Sequence, residues 1–139
     1  MFQHILVPVD FSERNKQALD IAVKIALLDQ GRVTLLHVIE MIAGTTLEEF
    51  GDFYTKLEKR AQQEMETLVI PYRDNQVEIE SKIVYGNRTP EILKFAAAYN
   101  VDLIVMSSHK IDPVDPIQGW GTISYKVGIL SPCPVMLVK

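Results

Sequence analysis

Residues 5–12 read Ile5-Leu6-Val7-Pro8-Val9-Asp10-Phe11-Ser12. Five apolar residues in a row, without the alternation of a half-exposed strand, describe a strand covered on both faces, as in parallel sheets flanked by helices. The run stops at an acid, and Ser12 stands where a helix N-cap is expected. Beyond it Ala18, Ala22, Ile25 and Ala26 recur at helical spacing, and Leu19, Ile21 and Leu28 widen the stripe. Gly31 fits the C′ position that ends such a helix. The opening is therefore strand, then helix.

The same alternation continues outward. Val33–Ile39 reads as a second strand, and Ala43–Thr46 as a flexible connection. Phe50, Phe53, Leu57, Ala61, Met65 and Leu68 step by three or four residues, which predicts a long amphipathic helix ended by Pro71 and Asp74-Asn75. Val77–Val84 alternates polar with apolar, as a strand near a sheet edge does. Thr89-Pro90-Glu91 predicts N-cap, first-turn proline and first-turn acid of a helix running to about Tyr99. Leu103–Met106 is a buried strand, a fourth helix begins at Gly121-Thr122, and Val135–Val138 is the last strand. Strands joined by helical crossovers make an α/β fold, a doubly wound parallel sheet with helices on both faces. In such sheets ligands collect at the carboxyl ends of strands where the strand order reverses. Pro8-Val9-Asp10, His37–Glu40 and Met106–Ser108 are then the candidate walls.

Composition narrows the classes. The 139 residues carry 14 Lys+Arg against 18 Asp+Glu, a net charge of −4, with 47% hydrophobic residues. That supports one domain over residues 1–139. The acidic balance argues against a nucleic-acid partner. Cys133 is the only cysteine, so neither an intramolecular disulfide nor a cysteine-cluster metal site can form. No apolar run reaches membrane-spanning length, and Met1–Asp10 lacks a basic leader, so a cytoplasmic location without membrane insertion is expected.

No P-loop, no Gly-x-Gly-x-x-Gly after the first strand, no Gly-x-Ser-x-Gly elbow and no zinc-ligand spacing occur. The expectation is a protein that is not an enzyme, with no catalytic residue and no metal site. Two features point to a ligand instead. Asp10 either accepts hydrogen bonds from a ribose or a base amine, or caps the following helix. Gly119-Trp120-Gly121-Thr122 either leaves backbone N–H groups open to phosphate or is simply a glycine-rich loop with a Thr cap. His37 reads as a hydrogen-bonded core histidine, while His109 stands beside Ser108 and Lys110 near the proposed site.

The order of these pieces resembles the universal stress protein family over essentially the full chain. The resemblance rests on Ile5–Ser12, Leu36-His37-Val38-Ile39, Gly86, Asp102–His109, Gly121-Thr122 and Ser131–Val138. It implies a five-stranded sheet of order 3-2-1-4-5 and a homodimer made through the last strand, Val135–Val138. Some family members bind ATP or a related adenine nucleotide, through a signature of Gly, two residues, Gly, nine residues, then Gly with Ser or Thr. Here Ser107 and Lys110 replace the two leading glycines, and ten residues precede Gly121-Thr122.

By that resemblance Pro8, Val9 and Asp10 would hold base and ribose, and Val38 would offer backbone hydrogen bonds to adenine. Met106, Ser107, Lys110, Gly121, Thr122 and Ile123 would surround ribose and phosphates. Lys110 supplies a full positive charge where the family uses backbone dipoles. Asp112 and Asp115 would repel a triphosphate unless Mg²⁺ bridged them to it. The expected function is a small stress-response regulatory protein binding ATP, ADP or AMP. The alternative, favoured by the lost glycines, is a dimeric member that no longer binds nucleotide and acts through protein–protein contacts.

Overall fold

A computed structural model describes residues 1–108 and 122–139. The elements, in chain order, are β1 (His4–Pro8), α1 (Arg14–Leu28), β2 (Arg32–Ile39), α2 (Gly51–Val69), β3 (Glu78–Tyr85), α3 (Arg88–Ala98), β4 (Leu103–Ser107), α4 (Ile123–Leu130) and β5 (Val135–Val138). A short 3₁₀ turn, Ile70–Tyr72, follows α2. The strands form one five-stranded sheet, ordered β3-β2-β1-β4-β5, with every neighbouring pair parallel. Both the doubly wound class and the strand order agree with expectation.

Side-chain alternation along the central strands sorts the core into two layers. Ile5, Val7, Val9, Val33, Leu35 and Val105 pack against Ala18, Leu19, Ala22 and Val23 of α1 and Met65 and Leu68 of α2. Leu6, Leu36, Val38, Ile104 and Met106 face the other way, onto Ile92, Phe95 and Ala96 of α3 and Val127 of α4. All five residues of β1 are buried, so its unbroken apolar run is what two covered faces require. The edge strand β3 is only partly covered, in keeping with its alternating sequence.

Three expected details move. The N-cap of α1 is Glu13, without a side-chain cap bond, because Ser12 is held in a turn by Asp10 and not at the helix end. The N-cap of α3 is Asn87, two residues before Thr89: the Glu91 amide already donates to the Asn87 carbonyl. Gly86, at φ +149°, turns the chain sharply out of β3 and starts the helix early. At the end of α1 it is Gln30, at φ +54°, that takes the left-handed C′ position. Gly31 follows as C″, its N–H reaching the Ala26 carbonyl at 2.8 Å, which is the six-to-one bond of a Schellman ending. Glycine is needed there for space, since a Cβ would lie 2.6 Å from the Phe2 carbonyl oxygen.

The stripe of α2 is also shorter than its periodicity implies. Ala61, Met65 and Leu68 are buried, whereas Phe50, Phe53 and Leu57 remain exposed. Tyr54 is buried in their place, and its hydroxyl accepts the Ile42 amide at 2.9 Å, which ties the first turns of α2 to the chain entering them. At the opposite end of the sheet from the candidate site, buried His4 donates from Nδ1 to the Tyr99 carbonyl, and its Nε2 is hydrogen-bonded to Thr34 Oγ1. No helix of the described residues is long and apolar enough to cross a membrane.

Candidate functional site

Strand order reverses between β1 and β4, because the chain winds one way from β1 to β2 and β3 and the other way from β4 to β5. The helices that follow those two strands, α1 and α4, cover opposite faces of the sheet, which leaves a crevice at the strand ends. A cavity of about 300 Å³ occupies it, within the range of small-molecule sites. Pro8, Val9, Asp10, Val38, Met106, Ser107, Thr122 and Ile123, all expected from sequence, line it. Lys110 and Gly121 lie outside the described residues, as do His109, Asp112, Asp115 and Trp120. Among the described residues Arg14, Asn15, Leu36, Arg88, Ile92 and Ser124 also line it and were not anticipated.

The backbone of Val38 is the most informative part of the wall. The Val9 amide donates to the Leu36 carbonyl at 2.9 Å, so even-numbered residues of β2 turn their polar groups toward β1. Odd-numbered ones face β3, as the bond from Gly86 to the Ile39 carbonyl shows. The next groups on the β1 side are the N–H and C=O of Val38, whose ladder partners would be the Val9 carbonyl and the Phe11 amide. Neither bond is made, since the pairing of β1 with β2 ends at Pro8 and Leu36. The Val9 carbonyl accepts Nδ1–H of His37 at 2.9 Å, and the Phe11 amide donates to Asn15 Oδ1 at 2.8 Å. A donor and an acceptor side by side are thereby left at the cavity, the complement of a base edge.

Asn15 is the hinge of this arrangement and is only 2% exposed. Besides Phe11, its Oδ1 accepts the Asp10 amide at 3.0 Å, and its Nδ2 donates to Ser107 Oγ at 3.1 Å. It thus joins the ends of β1 and β4 across the crevice. It also holds Phe11 at φ +66°, a conformation rare for a bulky residue. The Phe11 ring then lies 4.3 Å, centroid to centroid, from that of His37.

Asp10 leaves the strand end toward solvent and accepts the Ser12 amide at 3.0 Å. Partial burial alone would raise its pKa, but the Ser12 hydrogen bond and the Arg88 charge outweigh it and the carboxyl sits below its ordinary value. Burial pushes the His37 pKa down, and Arg88 adds to that against the opposing effects of the Val9 carbonyl and Asp10. His37 is therefore a neutral imidazole whose proton is on Nδ1, leaving Nε2 as an acceptor.

Arg14 and Arg88 are each the first residue of a helix, α1 and α3. Helix dipoles disfavour cations at that end, so these two guanidiniums are placed against local preference, beside the same cavity. Arg88 is tied to Glu40 by its amide at 3.3 Å and by a long side-chain contact of 3.8 Å. At the far end Thr122 caps α4, its Oγ1 accepting from the Tyr125 amide. Ser124 Oγ lies 3.2 Å from both Thr122 Oγ1 and Ser108 Oγ, a cluster of hydroxyls beside Ser107. Among the described residues no group of three His, Cys, Asp or Glu side chains is arranged to hold a metal ion.

A doubly wound sheet of this order, with a polar crevice at its reversal, defines a class of α/β protein that binds ligands at the carboxyl ends of its strands. The family model for the universal stress protein family matches residues 1–139, and the chain belongs to that family. The universal stress protein YxiE of Bacillus subtilis is 30% identical, with both chains covered in full. Universal stress protein MJ0577 of Methanocaldococcus jannaschii is 31% identical over all of this chain and 96% of its own. The solved structure of MJ0577 superposes with a TM-score of 0.84 at 34% identity, covering 100% of this chain and 96% of the other. A universal stress protein from Archaeoglobus fulgidus, solved in complex with dAMP, has a TM-score of 0.72 at 23% identity over 99% and 98% of the two chains, a likeness of fold.

Proposed function

We propose that the cavity at the sheet reversal binds an adenine nucleotide and that the protein is a regulatory module of one domain that does not turn its ligand over. The observation that carries this reading is the released N–H and C=O of Val38, a donor and acceptor that match N1 and the exocyclic amine of adenine. Asp10 beside it accepts from ribose hydroxyls, and the Ser107, Thr122 and Ser124 hydroxyls at the other end of the cavity suit ribose and phosphate. Arg14 and Arg88 add positive charge that a protein of net charge −4 supplies only locally. The dAMP complex of the Archaeoglobus relative supports the same ligand class.

A homodimer through β5 completes the reading. Met136 and Leu137 are exposed on that edge strand, and Ile129 and Leu130 are exposed on the neighbouring α4, an apolar sheet edge of the kind that pairs with another chain.

Calorimetric titration of the purified protein with ATP, ADP and AMP, with and without Mg²⁺, tests the ligand. Saturable heat from at least one of them is expected. Asp10→Ala should weaken it by about tenfold or more, the loss of a charge-assisted hydrogen bond. No heat from any of the three would favour the alternative, a dimeric interaction protein whose pocket is empty of nucleotide.

A further inference from the structure

A second concavity, an open groove of about 510 Å³, adjoins the cavity and shares Asp10, Val38 and Arg88 with it. Phe11, His37, Glu40, Arg60 and Glu64 form its own walls. We propose that this groove is a second ligand subsite, taking a short amino-acid-like arm carried on the exocyclic amine of the adenine; the inference rests on the nucleotide reading above.

Position argues for the attachment point. Val38 is a wall of both compartments, and the ligand atoms held against it are those nearest the groove. Its carbonyl needs only one hydrogen of the exocyclic amine, so the second is open to a substituent.

Chemistry argues for the arm. Arg60 projects from α2 and makes no ion pair among the described residues, while Arg88 has a long contact to Glu40 and also acts on the Asp10 charge. Two guanidiniums suit a carboxylate. Glu40, Glu64 and the free Nε2 of His37 are acceptors and require donors from the ligand. The Phe11 and His37 rings, 4.3 Å apart centroid to centroid and tilted by 32°, stand in the groove wall and give the carbon part of the arm an apolar contact at Phe11. A purely anionic arm would meet Asp10 and the two glutamates, and a purely apolar one would bury charges unpaired. An arm with one carboxylate and several N–H or O–H donors satisfies both sets.

The test compares AMP with N6-(3-amino-3-carboxypropyl)-AMP, whose arm carries one carboxylate and an ammonium donor group, by calorimetry, on the wild-type chain and on Arg60→Ala. Arg60 lies outside the first cavity and is exposed, so this variant should fold and bind AMP as the wild type does. The subsite predicts at least a tenfold tighter complex with the substituted nucleotide and loss of most of that gain in Arg60→Ala. AMP binding with equal or weaker binding of the substituted nucleotide overturns the subsite alone. A gain that survives Arg60→Ala unchanged also overturns it, since the arm would then lie elsewhere. Failure of AMP itself to bind overturns the nucleotide reading and the subsite with it.

Discussion

Asn15 decides the local geometry at the residue scale, because one buried amide sets three groups at once. Removing it leaves the Asp10 and Phe11 amides and Ser107 Oγ without their partner. An unsatisfied buried donor costs about 1–3 kcal/mol, so Asn15→Ala should lower unfolding free energy by about 2–4 kcal/mol, measured by urea denaturation. His37 sets the other half of the released Val38 pair. Its folded pKa lies below the ordinary 6.5, so at acid pH the unfolded chain binds a proton that the folded chain resists. The stability it contributes is complete above pH 6.5 and is lost as pH falls below that toward the folded value. Urea midpoints measured downward from pH 7 should therefore drop less steeply in His37→Gln than in the wild type.

Among the elements, the end of α1 shows how tightly β1 and β2 are joined beneath the site. Gly31 sits against the Phe2 carbonyl, and the Arg32 amide donates to the Gln3 carbonyl at 2.9 Å. A methyl group at position 31 must push two backbones apart. Gly31→Ala is expected to cost about 1–3 kcal/mol, as overpacking does, a loss that thermal denaturation would register. An unchanged midpoint would mean that the two segments part readily. The helix starts matter in the opposite way. Arg14 and Arg88 oppose the dipoles of α1 and α3, and under the proposed function their charge beside the cavity offsets that cost.

Over the whole molecule, the sheet edge and the site were legible from sequence to different degrees. Unbroken apolar runs at Ile5–Val9 and Leu103–Met106 and the alternation of Val77–Val84 are local patterns, and the layers follow from them. The end of α1 misled by one residue: a glycine usually marks the left-handed position, but here the space beside Phe2 requires Gly31 while Gln30 bears the positive φ. Asn15 and Arg88 could not be read, because their partners lie far off in the chain. Asn15 meets Ser107 across 92 positions, and Arg88 meets Glu40 across 48. A basic residue opening a helix after a strand was the one available signal. The proposed dimer belongs to this scale too. The Pro134 and Val138 carbonyls accept from β4, so even-numbered residues of β5 face inward and the N–H of Leu137 points outward. Leu137→Pro removes only that outward donor. Light scattering should show a dimer in the wild type and a monomer in this variant; dimers in both would place the interface elsewhere.

The release of the Val38 N–H and C=O from the β1 ladder underlies the whole functional reading. It is tested most directly by following the backbone amide resonance of Val38 in a ¹⁵N-labelled sample during titration with AMP. A saturable downfield shift of that amide is expected, as it gains a hydrogen bond to the base. A Val38 resonance that stays put while AMP binds would contradict it.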